Sequence, residues 1–105
     1  VLDTTPLITA VDRFADRLRA APQSRLQRGA AAEGLATARA LALRAQRVEA
    51  PDREPRIIPD AGIFAIGDQL AVAGRDLAVA LETAPSAELD EAVQFVAEAA
   101  ARAFA

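Results

Sequence analysis

Leu7, Val11, Phe14 and Leu18 recur at spacings of four, three and four, with Thr9, Asp12, Arg13, Asp16 and Arg17 between them. That period predicts an amphipathic helix. We expect this helix, A, from about Pro6 to Ala21, with Thr5 as its cap and Pro6 at its first position. Pro22 should break it. Ser24 and Gln27 form an S-x-x-Q pattern that marks the start of helix B, from about Arg25 to Glu49. The core face of B runs through Ala30, Gly34, Ala38, Leu41, Ala45 and Val48, so small residues dominate it. Gly29 and Gly34 each weaken an isolated helix by about 1 kcal/mol relative to alanine. Close approach of a neighbouring helix is the expected compensation. Leu35 and Leu43 lie off the core stripe and leave B apolar around much of its circumference.

Residues 50 to 60 hold three of the six prolines and read as a loop. Eleven extended residues span on the order of 30 Å, enough to cross a bundle. Adjacent Ile57 and Ile58 are expected to tuck onto a core. Helix C should run from about Ala61 to Thr83, capped by Asp60. Its apolar blocks are separated by Asp68-Gln69, Arg75-Asp76 and Glu82-Thr83, pairs seven residues apart. On a helix these pairs stack into a polar stripe of roughly 140°, leaving about 220° apolar. Helix C should therefore touch neighbours on more than one side. Gly67 and Gly74 share a face and argue for a close crossing. Helix D follows Pro85 and the cap Ser86, from about Ala87 to Phe104, with a core stripe of Leu89, Val93, Val96, Ala100 and Ala103. Glu88, Asp90 and Glu91 occupy its first turn, where the helix dipole favours acids.

The expected fold is all-α, a single domain over residues 1–105. It is a four-helix bundle of two helical hairpins, A-B and C-D, joined by a long Pro-rich crossover loop. Composition qualifies this picture in one respect. Twenty-eight of the 105 residues are alanine, against 11 Leu, 7 Val, 5 Ile and 4 Phe, so the core is thin. The absence of His, Cys, Tyr, Trp, Met and Lys removes imidazole acid/base catalysis, thiol chemistry and Schiff-base lysines. Ser24 and Ser86 both sit at helix starts, where capping explains them. We expect no enzymatic activity and no cofactor.

Net charge is −3, which disfavours nucleic acid and anionic membranes as partners of the whole molecule. The first fifty residues carry 8 Arg against 5 acids and the remainder 4 Arg against 10, so the two halves are complementary. No stretch is long and apolar enough to span a bilayer, and charges in the first twenty residues argue against a signal peptide. The chain reads as cytoplasmic.

Three groups of residues remain as candidates. Leu35, Leu43, Phe64, Gly67, Leu70, Gly74 and Leu77 would supply a protein–protein interface on helices B and C, most simply in a homodimer. Arg13, Arg17, Arg25 and Arg28 form a cluster suited to an anion, although no nearby aromatic residue suggests base stacking. Nucleic-acid binding through it is the weaker alternative. Glu88 and Glu91 lie three apart on helix D, but no second acidic motif completes a metal site. The expected function is a helical interaction or dimerisation module, with a regulatory domain that binds a small apolar or anionic ligand as the alternative.

Overall fold

The computed structural model describes residues 1–105 and contains helices without strands. There are four long helices, α1 (Thr5–Ala20), α3 (Ala31–Glu49), α4 (Ile66–Leu81) and α5 (Ser86–Ala103), with a single turn, α2 (Gln23–Arg25), between α1 and α3. Helix α1 buries Leu7, Val11, Phe14, Ala15 and Leu18, the stripe its spacing implies. Its start differs from expectation. Asp3 Oδ1 accepts the Thr5 N–H at 3.0 Å, and Thr5 is the first helical residue rather than the cap.

Ala21 and Pro22 are extended, and the chain turns helical at Gln23. Ser24 therefore lies inside the turn, and no side-chain cap forms there. Gly29, at φ 138°, breaks the helix between α2 and α3. Side chains rarely adopt that conformation, which explains glycine at this point. The expected continuous helix B is thus two pieces set at a kink.

Residues 50 to 60 run back along α3. Gln46 holds Arg56 from both sides, donating to its carbonyl at 2.9 Å and accepting its N–H at 2.7 Å. Arg39 donates to the Ile58 carbonyl at 2.8 Å, and Gln69 on α4 donates to that of Pro59 at 2.9 Å. Only Ile58 packs on the core; Ile57 is exposed, because neighbours in an extended chain point to opposite sides. Asp60 does not cap a helix. Its carboxylate accepts the Gly62 N–H at 2.9 Å in a local turn, Gly62 takes φ 96°, and α4 starts only at Ile66. Nor does Ser86 cap α5: it is the first helical residue, following Pro85.

Named contacts give the helix directions. Val11 meets Gly74 while Arg19 meets Asp68, so α1 and α4 are antiparallel. Glu33 pairs with Arg102 and Arg44 with Phe95, so α3 and α5 are antiparallel too. Gly34 touches Ile66 at one end while Val48 and Leu81 line one cavity at the other, which makes α3 and α4 parallel. The main seams are α3 with α4, α1 with α4, and α5 with both α1 and α3. Helices α4 and α5 scarcely approach each other, and α1 meets α3 only sparingly. The expected pairs A-B and C-D therefore do not pack as hairpins; their members lie across the bundle from each other.

The reason lies in the glycines. A Cβ on Gly74 would sit 2.5 Å from Val11 Cγ1, one on Gly67 2.8 Å from Arg19 Cγ, and one on Gly34 2.7 Å from Ile66 Cγ2. Gly67 and Gly74 admit α1 to α4, and Gly34 admits the start of α4 to α3 along with Leu18 of α1. Alanine supplies eleven of the 23 core residues, which also favours short interhelical distances. Helix α4 is wedged between α1 and α3, but its buried residues span an arc of only about 160° at 100° per residue. Val72 and Val79 remain 61% exposed.

Gly74→Ala is expected to lower stability by about 1–3 kcal/mol, because β-branched Val11 has little room to yield. Gly74→Leu should prevent the α1–α4 seam from forming. Urea unfolding measures both, and an unchanged midpoint for Gly74→Ala would contradict the close contact. Asp3 offers a pH test, since the Thr5 hydrogen bonds hold its carboxyl below the ordinary 3.8. Its contribution is present above the unfolded-state value and is lost as pH falls through the lower folded one. NMR titration should place its midpoint below 3.8, and Thr5→Pro, which removes the donor, should raise it.

Candidate functional site

The seven expected interface residues divide sharply. Leu70 and Leu77 are fully buried, and Gly67 and Gly74 lie under α1, so these four belong to the molecule's own core and not to a surface. Leu35 is half-buried against that core, Leu43 is half-buried, and Phe64 is 74% exposed just before α4. The surface of α4 is marked instead by Val72 and Val79, one heptad apart, with Arg75 on one edge of their stripe and Asp76 on the other. Reading these valines as parts of apolar blocks hid them. Their helical angles place them inside the polar arc.

The arginine cluster assembles from three directions. Arg17 comes from the last turn of α1, Arg25 from α2, and Arg28 from the segment before the Gly29 kink. All three line one cleft of about 340 Å³, together with Phe104 from the end of α5. The Arg17 guanidinium carbon lies 4.0 Å from the Phe104 ring centroid and that of Arg25 lies 5.8 Å from it. Phe104 is itself fixed by an edge-to-face contact with buried Phe14, centroids 6.3 Å apart. An aromatic ring does accompany these arginines, contrary to expectation. It arrives from the far end of the chain, where local sequence gives no sign of it. Arg13, one turn earlier on α1, does not line the cleft.

None of the three takes part in an ion pair; the ion-paired arginines are Arg19, Arg75 and Arg102. Arg19 donates to Asp68 at 2.7 Å and to Asp16 at 3.2 Å, and the Asp68 hydrogen bond chiefly raises its pKa. Arg75 reaches Asp12 at 3.3 Å. Glu33 is partly shielded and receives two hydrogen bonds from Arg102. Arg28 donates its Nε to the Ser24 carbonyl at 3.3 Å, which leaves its outer N–H groups free. Glu88 and Glu91 lie at the other end of α5, where they share a cavity with Arg44 and Arg47 of α3.

Chemically, the cleft presents fixed positive charge with unused donors, and its guanidinium forks suit phosphate or carboxylate oxygens. A cation over an exposed aromatic ring contributes about 0.5–1 kcal/mol. A double-mutant cycle of Arg17→Met and Phe104→Leu should therefore return a coupling of about that size in urea unfolding. Zero coupling would mean that the ring does not hold the arginine. Comparison of the chain with protein-family models, curated proteins and solved structures finds no significant match.

Proposed function

We propose that this protein is a non-enzymatic helical interaction module that pairs with a second copy of itself along the outer face of α4. The carrying observation is the Val72–Val79 stripe, 61% exposed at both positions and flanked by opposite charges. Isolated exposed valines need no explanation. Two on one face at heptad spacing form a short seam of the kind that pairs helices.

The flanking charges select the partner and its direction. In a parallel pair related by a two-fold axis along α4, Val72 meets Val72, Val79 meets Val79, and each Arg75 lies beside Asp76 of the second copy. An antiparallel pair would set Arg75 against Arg75, which is unfavourable. The seam is short, so the proposed association is weak and reversible. The same reading takes residues 50 to 60 as the crossover between the two halves of the bundle and the cytoplasm as the setting.

Sedimentation should show a monomer–dimer equilibrium at micromolar to high micromolar concentration. Val72→Asp with Val79→Asp should give a monomer of unchanged melting temperature, because neither valine belongs to the core. A wild-type protein that stays monomeric at high micromolar concentration would sink the proposal.

A further inference from the structure

We infer that the cleft walled by Arg17, Arg25 and Arg28 binds the phosphate chain of a small oligophosphate, a ligand with two or more linked phosphoryl groups. Pro22 and the Gly29 kink swing α2 back toward the end of α1, so residues eight and eleven positions apart in sequence face one cleft. Arg17 and Arg25 approach the same aromatic ring, which steadies the guanidiniums without neutralising them. Three positive charges converge with no ion pair to any of them, and the side-chain carboxylate that shares a neighbouring cavity with Arg25 and Arg28, that of Glu33, is held by Arg102. That arrangement is repulsive when empty and is relieved by an anion.

The number of forks points to the ligand class. A carboxylate or a single phosphate occupies one or two guanidiniums, whereas a di- or triphosphate chain carries enough oxygens and charge for all three. A volume of about 340 Å³ falls at the small end of ligand sites. Ala20, Ala21 and Pro22 complete the lining of the cleft. Because Phe104 is already covered by Arg17, it is not a free platform for a nucleobase, which favours a small ligand over a nucleic-acid strand. The cleft lies beside α5, on the opposite side of the bundle from the α4 stripe, so this inference and the proposed self-association stand or fall separately.

The test is an NMR titration of the full-length protein with inorganic triphosphate at low salt, following the arginine Nε–H signals and the Phe104 amide. One saturable site is expected, with the largest shifts at Arg17, Arg25, Arg28 and Phe104, and orthophosphate should bind at least tenfold more weakly. Arg25→Gln with Arg28→Gln should lose at least tenfold in affinity with its circular dichroism and melting retained. Arg53→Gln, which removes the same kind of charge from the distant loop, should bind as wild type. The inference is overturned by non-saturating shifts spread over all arginines, by wild-type affinity in the double variant, or by an equal loss in Arg53→Gln. A ten-nucleotide thymidine strand binding tenfold more tightly than triphosphate would overturn it in favour of nucleic acid.

Discussion

The close approach of α1 to α4 organises the molecule. Val11 occupies the space that a side chain at Gly74 would fill, and Arg19 lies across Gly67 with the Ala15 carbonyl nearby. Large apolar side chains are too few to hold four helices at ordinary separation. Their scarcity is offset by short distances, which multiply the contacts each small residue makes. Gly34 repeats the device between α3 and the start of α4, where Ile66 and Leu18 converge on it. With α4 fixed between α1 and α3, α5 closes the other side, and α4 and α5 end on opposite flanks.

Periodicity made the helices legible, and it did so best where one face is apolar and the other charged. The stripe of α1 is buried residue for residue, and in α5 Leu89 and Val96 are buried while Val93 is half-buried. Helix starts were less legible. Thr5, Ser24, Asp60 and Ser86 are all good caps by type, yet none caps a helix through its side chain. Capping is a local preference of about 1 kcal/mol, so a nearby proline or a turn one residue away easily outweighs it. Gly29 illustrates the same limit: its cost to a helix was evident, but a positive φ expresses the path of the chain around it.

Partnership between helices was the least legible feature. Glycines on a face announce that something comes close without naming it, and the short links between α1 and α3 and between α4 and α5 suggested the wrong neighbours. Helix α4 shows the consequence for function. Its residues chosen for an interface, Gly67, Leu70, Gly74 and Leu77, are the ones the bundle buries for itself. What remains outside is narrower, a pair of valines between opposite charges, and an apolar count alone could not separate the two sets.

Charge asymmetry between the halves of the chain suggested that basic and acidic helices neutralise one another, and this happens only in part. Arg44 and Arg47 share a cavity with Glu88 and Glu91, and Arg102 holds Glu33. Of the acids of α5, Glu88 sits in the first turn, where the dipole favours it, and Asp90 and Glu91 follow directly. Glu91 and Phe104 are thirteen residues apart, about 20 Å along the helix at 1.5 Å per residue. That is more than twice the screening length of about 8 Å at physiological ionic strength. Helix α5 therefore carries three of its four acids at the end where they cannot reach Arg17, Arg25 and Arg28, while the fourth, Glu98, accepts a hydrogen bond from Gln94. At the opposite end it contributes Phe104, which orders these arginines and leaves their charge in place.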